Sequence, residues 1–377
     1  MAKLSALHKA LLGIVVCLVF FAVIETVGHL VFWAWRGTTL RQHRLQQVGL
    51  QFTVYGAYEY IPGRDIDLPP EYPVRRLETD GQGFVRTGGE ENHDPQALVI
   101  AVLGGSTVEG RGASGPAGTI AGQLQRILAG SPRHRSVRVI NAGRCGYNAY
   151  QQFCLLSDER FWDFHPRVVI AVDGRNDAFY AISYANHGWR PNWQPYFDEL
   201  TAGINEILVD GRSFMPRAWL LQWSITASVM NRLLPGRSPL VMYPQQSSPS
   251  PDVLRRSVQS YLENHELARN KCRLRQAAYH VFLQPVLLPG RRPLHPREKQ
   301  AVDEWSMHYR GEFYWSSLAQ WYEQAATAAK STAYVHDLSD VLGEHSEPLY
   351  CDSCHYLDEG NRRIAERIAA TLEKSGL

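Results

Sequence analysis

The feature that most restricts the fold is a series of short, unbroken apolar runs that begins at residue 98. Leu98-Val99-Ile100-Ala101-Val102-Leu103 ends at Gly104-Gly105, Val137-Arg138-Val139-Ile140 leads into a Gly-rich turn, and Val168-Val169-Ile170-Ala171-Val172 again stops near a glycine. Tyr279-His280-Val281-Phe282-Leu283 and Ala333-Tyr334-Val335-His336 read as a fourth and a fifth. Apolar runs without alternation are strands buried on both faces, which is the condition of a parallel sheet. Helical patterns fall between them, near Thr119 to Ala129, from about Tyr150, and from Asp252 to Arg275, where the charge reads as a solvated face. An amphipathic stretch from Asp358 to Leu372 closes the chain, with Asp358 as its expected N-cap. Strand and helix in alternation predict right-handed βαβ units and a mostly parallel sheet with helices on both faces, a three-layer α/β/α fold. Ligands of such sheets sit at the carboxyl ends of the strands.

A second constraint lies ahead of that domain. Ala10 to Ile24 is apolar without interruption, and Thr26 to Trp35 continues the run after Glu25. About 20 apolar residues span a bilayer as one helix. A cleaved signal peptide has a shorter apolar core and a small-residue cleavage site, and no A-x-A pattern closes this one, so an uncleaved transmembrane anchor is expected. Trp33 and Trp35 suit an interfacial aromatic belt, with Glu25 and His29 close enough to that edge for their polar tips to reach headgroups. Lys3 and Lys9 precede the run and Arg36, Arg41 and Arg44 follow it, so charge alone sets no orientation. Over all 377 residues, 39 Lys and Arg balance 37 Asp and Glu, leaving no field to collect nucleic acid.

The residues at the predicted strand ends are the ones with chemistry. The first strand delivers Gly104-Gly105-Ser106-Thr107, the second Asn141-Ala142-Gly143-Arg144-Cys145-Gly146, the third Gly174-Arg175-Asn176-Asp177, and after the fifth comes Asp352-Ser353-Cys354-His355. Each block alone is a turn or a helix cap. Together, in order on one sheet edge, they offer a hydroxyl, an imidazole to take its proton, a carboxylate to orient the imidazole, and amide donors for a developing oxyanion.

This ordered set resembles the SGNH (GDSL-like) hydrolase superfamily over roughly residues 98 to 372. The resemblance implies a flavodoxin-like sheet, Ser106 as nucleophile, Asp352 and His355 completing a catalytic triad, and Ser106, Gly146 and Asn176 as oxyanion-hole donors. Gly105 stands where the family usually has Asp and Thr107 where it has Leu. A Gly-Gly-Ser-Thr version is similar to that of membrane-anchored bacterial members, so the departure bears on substrate more than on chemistry. The implied organisation is a tail (1–9), a transmembrane anchor (10–35), a linker and approach (36–97) and a catalytic domain (98–377) with an insertion at about 178–250. Within that insertion Tyr184 to Phe197 reads as a sugar-binding wall or a packed loop. Arg217 to Leu234 reads as a core helix or an amphipathic interfacial one.

Cys351-Asp352-Ser353-Cys354-His355 is also a C-x-x-C-H string, the pattern of covalent haem attachment, and His355 cannot be both axial ligand and general base. The string closes an α/β domain and has no obvious distal ligand, and a zinc site lacks its second ligand pair, so neither cofactor nor metal is expected. One or two disulfides among Cys145, Cys154, Cys272, Cys351 and Cys354 are compatible with an extracytoplasmic domain. The expected protein is a single-pass membrane serine esterase facing the periplasm or exterior, its partners the membrane and an O-acylated envelope or exported carbohydrate or another ester. An acyltransferase using the same triad, or a catalytically silent carbohydrate-binding or assembly subunit, are the alternatives.

Overall fold

The structure, a computed structural model, describes residues 6–37, 50–52, 58–60, 66–67, 72–73, 76–89, 94–133, 136–185, 189, 191–192, 224–226, 248–291, 293–309, 312–343 and 347–376. The chain divides into two compact units, Met1–Gln51 with Tyr196–Met242, and Phe52–Pro195 with Tyr243–Leu377.

In the smaller unit α1 runs Ala6–Arg36. Its Leu11–Trp35 stretch of 25 residues is long and apolar enough to cross a membrane. Glu25, Gly28, His29 and Phe32, one stripe at helical spacing, are partly covered, whereas the rest of the span is exposed. The Glu25 carboxylate accepts from the Ser224 hydroxyl at 2.7 Å and from the N–H groups of Ile225 and Thr226 at 2.9 Å each. Gly28 lies against Ile225, where an added Cβ would meet Cγ2 at 3.3 Å. A chain segment that begins to turn helical at Ile225 thus takes the Glu25 carboxylate as a cap. The rest of Arg217 to Leu234, and of Tyr184 to Phe197 apart from residues 184–185, 189 and 191–192, lies outside the described residues.

The larger unit is built on a five-stranded parallel sheet: β1 Leu98–Gly104, β2 Val137–Gly143, β3 Val168–Asp173, β4 Ala278–Leu283 and β5 Val335–Asp337. Their spatial order is 2-1-3-4-5, the doubly wound flavodoxin-like arrangement, in which β1 and β3 meet at the topological switch point. β2 runs on past Ile140, where the sequence predicts its end, because β1 pairs with it from Leu98↔Val137 to Gly104↔Gly143. β5 begins at Val335, later than predicted, and pairs with β4 only from Val281↔Val335 to Leu283↔Asp337.

The strands bury both faces. On one side Ile100, Val102, Val137, Val139, Val168 and Ile170 pack against α3 (Ile120–Ala129) and α9 (Asp358–Lys374) through Leu124, Leu128, Ile364, Ile368 and Leu372. The other face is covered by α4 (Ala149–Ser157), α5 (Arg175–Tyr184), α6 (Pro251–Leu274) and α8 (Glu312–Ala329). α7 (Pro296–Tyr309) and α8 have no counterpart among the predicted elements. α3 starts where Thr119 accepts from the Gly122 N–H at 2.9 Å, and α4 where Asn148 and Gln151 form a reciprocal capping box.

Two sequence expectations are corrected here. The N-cap position of α9 is Leu357, and Asp358 instead accepts from the Ser114 N–H at 2.7 Å and from its hydroxyl, tying the helix start to the loop beyond Ser106. Most charged residues of α6 are exposed as expected, with Glu266 and Lys271 half-buried, but its inward stripe carries polar residues: Ser257, Ser260, Asn264 and His265 are all buried. Ser260 and Asn264 reach the Asn192 side chain and Ser257 donates to the Asp177 carbonyl, whereas His265 faces a network around Asp173 of β3. The Asp173 carboxylate accepts from Gln152 Nε2 at 2.5 Å and the Tyr261 hydroxyl at 3.0 Å, with His265 Nε2 at 3.2 Å. A buried carboxylate without such partners costs several kcal/mol. Among the described residues no disulfide forms; Cys145, Cys154 and Cys272 are buried on different elements.

Candidate active site

Four connections bring the site together at the carboxyl edge of the sheet. Ser106 opens α2 (Ser106–Glu109), the single turn that follows β1, and its N–H belongs to the first turn of a helix, where no intrahelical acceptor exists. β2 leads into Arg144-Cys145-Gly146, with Gly146 at φ 74°, a left-handed turn. β3 leads into the first turn of α5, which holds Asn176. Asp352 and His355 lie on a loop between β5 and α9, pinched shut by Leu357 N–H to Leu349 O and Cys351 N–H to His355 O, both 2.9 Å. Glu298, fully buried on α7, supports that loop by accepting from the Leu349 N–H at 3.0 Å.

The loop brings the imidazole to the serine. His355 Nε2 is 2.7 Å from Ser106 Oγ, and Nδ1 is 2.6 Å from Asp352 Oδ2. The other carboxylate oxygen of Asp352 accepts from the backbone N–H groups of Cys354 at 2.9 Å and His355 at 2.8 Å. An ionised carboxylate only accepts, so in the neutral ring Nδ1 holds the hydrogen and Nε2 is left to accept from the Ser106 hydroxyl.

Burial works against the Asp352 charge, but His355 and the two backbone N–H groups outweigh it and hold the carboxyl at about 2. Burial also works against charging His355. The Asp352 carboxylate and the adjacent Cys354 sulfur overcome it, and the ring's pKa is raised well above its ordinary value. Asp352, Cys354 and His355 each place a potential metal-ligand atom within 4.8 Å of the others, yet both ring nitrogens already have partners in the Asp–His–Ser line.

Asn176 and the turn that holds Gly146 approach the serine's turn at Gly105. Asn176 Nδ2 donates to Tyr147 O at 2.8 Å, and the Tyr180 hydroxyl donates to Gly146 O at 2.7 Å, fixing the turn from below. A Cβ on Gly105 would sit 2.5 Å from Asn176 Nδ2, so a glycine there lets the amide lie against the serine's backbone. Asp177, next along, accepts from the Ala149 N–H at 3.3 Å; burial and the charge of Asp173 push its carboxyl well above the ordinary range.

Sequence reasoning missed Glu109. It is fully buried, accepts from the Cys145 N–H at 2.9 Å through Oε1 and from Arg111 Nε at 2.8 Å through Oε2, and so joins the serine's turn to the β2 turn. Gly143 is part of the same fit, since a Cβ there would lie 2.2 Å from the Glu109 nitrogen. Two sequence signals bear on this: Glu109 ends the serine's short turn, and a glycine ends β2.

A hydroxyl, imidazole and carboxylate hydrogen-bonded in line stand at the switch point of a doubly wound α/β/α sheet. No protein-family model matches the sequence, and no curated protein is detectably similar to it. Similar solved structures include the lipase Lip_vut3 from a goat rumen metagenome, at 12% identity over 73% of this chain and 97% of that one, with a TM-score of 0.39. A member of the lipolytic protein G-D-S-L family from Veillonella parvula DSM 2008 is 12% identical over 73% of this chain and 97% of its own, with a TM-score of 0.38. The psychrotrophic esterase EstA from Pseudoalteromonas sp. is 12% identical over 74% and 97%, with a TM-score of 0.35. At these scores the likeness assigns neither activity nor substrate to this chain.

Proposed function

We propose that the chain is an SGNH-type serine esterase that acts through an acyl-serine intermediate. The observation that carries this is the unbroken line from Asp352 Oδ2 through His355 to Ser106 Oγ, with links of 2.6 and 2.7 Å. In this reading His355 Nε2 takes the Ser106 proton as Oγ attacks the ester carbonyl. The carbonyl oxygen becomes an oxyanion held by the Ser106 and Gly146 N–H groups and by the Asn176 side chain, whose Nδ2 has a second hydrogen beyond the one given to Tyr147 O. Each such donor is worth about 3 kcal/mol in comparable sites. The imidazolium then returns its proton to the departing alkoxide, the C–O bond breaks, and water activated by the same ring releases the acid and restores Ser106.

The finer reading is an anchored enzyme, held by α1 with its catalytic unit on the extracytoplasmic side, removing acyl groups such as acetyl from envelope or exported carbohydrate. Its anchor is supported by the apolar length of Leu11–Trp35. The test uses the full chain in detergent with acetylated oligosaccharides and p-nitrophenyl esters of increasing length. Acetate release is expected, fastest from short acyl chains. If acetate is instead transferred to an added sugar hydroxyl, the same triad serves an acyltransferase, and if no ester is cleaved the unit is a binding module.

The pH profile follows from the raised His355 pKa. A base must be neutral, and a ring whose pKa is raised stays protonated at the pH where an ordinary histidine is half neutral. The kcat/KM for an uncharged ester should therefore rise along a one-proton limb centred above about 6.5. Asp352, at about 2, remains ionised throughout that range and adds no second limb. A limb centred below 6.5 contradicts His355 as the base.

A further inference from the structure

Tyr72 belongs to the segment that precedes the sheet, yet its ring meets the triad: it packs against the His355 imidazole at 5.5 Å between centroids and at 88°, edge to face. The same ring carries the Arg111 guanidinium, 5.7 Å from its centroid. Arg111 is held by Glu109, which also holds the Cys145 N–H. A chain of contacts thus runs from the β2 turn through Glu109, Arg111 and Tyr72 to His355.

The geometry of the imidazole explains what such a contact can do. The ring can still tilt through small changes in its own side-chain torsions, because the hydrogen bonds from Nδ1 and Nε2 both act in the ring plane and tolerate some misalignment. A perpendicular aromatic ring resists that tilt, because edge-to-face pairs are favoured at this separation and are lost when the rings rotate. We propose that Tyr72 is a positioning residue of the triad, its ring holding His355 in the tilt that aims Nε2 at Ser106. This role rests on the serine-esterase reading. The hydroxyl is not needed for it, and burial, with the Asp352 charge next, raises the phenol's pKa so that the ring stays neutral wherever the enzyme is folded.

The test compares wild-type chain with Tyr72→Phe, Tyr72→Leu and Tyr72→Ala, using p-nitrophenyl acetate and the rate of fluorophosphonate labelling of Ser106 across pH. Tyr72→Phe should keep kcat within about threefold of wild type, because the edge-to-face pair survives. Tyr72→Ala should lower kcat about 10- to 100-fold, the size of effect expected when a reacting group is misplaced by an ångström or less, while KM changes little. Labelling should slow in parallel, and the base limb should move, because water reaching the Asp352–His355 pair changes both the burial and the charge pairing that set it. Tyr72→Leu, which keeps apolar bulk without an aromatic edge, should resemble Tyr72→Ala, and its activity separates lost tilt from lost folding if Tyr72→Ala is unstable. A Leu or Ala variant with wild-type kcat and an unmoved limb overturns the role, as does one that changes KM alone, which would make the ring a substrate wall. Wild-type chain that fails to label at Ser106 overturns the esterase reading and this role with it.

Discussion

Ser106→Ala is expected to abolish fluorophosphonate labelling and to lower kcat for any cleaved ester by about six orders of magnitude, the loss seen when a triad serine is removed. The change deletes the one atom that His355 Nε2 faces at 2.7 Å and leaves the rest of the edge in place. The fold should be indifferent to it. Ser106 starts a turn whose backbone bonds, from Val108 and Glu109 N–H to Gly105 O, do not use the hydroxyl. Circular dichroism and the thermal midpoint should therefore match wild type while turnover disappears. An alanine variant that still releases acid at a measurable fraction of the wild-type rate removes Ser106 from the mechanism, and with it the acyl-serine intermediate.

Asp352→Asn should cost about 10⁴ in kcat, and for a different reason. The asparagine is nearly isosteric, and its oxygen can still accept from the Cys354 and His355 N–H groups that shape the loop. What changes is the other atom, now an amide that donates to Nδ1 of the ring. The imidazole hydrogen is then driven to Nε2, which can no longer accept from Ser106. The substitution also removes the charge that raises the His355 pKa, so whatever activity survives should show its base limb at lower pH than wild type. Measuring kcat/KM from pH 5 to 10 checks both parts. An Asn variant within tenfold of wild type leaves Asp352 a loop-capping residue and no more.

How much of this was legible in the sequence depends on how far the information lies from the residue that carries it. The strands were readable because a strand buried on both faces is apolar at nearly every position, and Val168 to Val172, short and β-branched, fits that pattern. The turns after them were readable because glycine and Asn-Asp pairs interrupt such runs. The pairing order was not, because Leu98–Leu103 and Val168–Val172 are interchangeable as apolar strands. Asp358 shows the same limit at short range, since a first-turn acid and an N-cap acid look alike until Ser114 is seen beside it. His265 and Glu109 are polar letters that local pattern assigns to solvent. They are buried because groups outside their own turn of chain meet them, the Tyr279 hydroxyl at His265 Nδ1 and the Cys145 N–H at Glu109. Tyr72, in a turn-rich approach, carried no signal at all.

From its letters alone this chain was bound to have an apolar N-terminal helix and an alternation of buried strands with helices, since hydrophobic burial acts on local runs whatever lies elsewhere. The letters also supplied a serine, an asparagine, an aspartate and a histidine at the ends of those runs. Tertiary structure alone decided that the strands stack in the order 2-1-3-4-5. That order brings the turn after β1 beside the turns after β2 and β3 and beneath the loop before α9. A hydrogen bond of 2.7 Å between residues 106 and 355 depends on the packing of every layer between them, and no local preference encodes it.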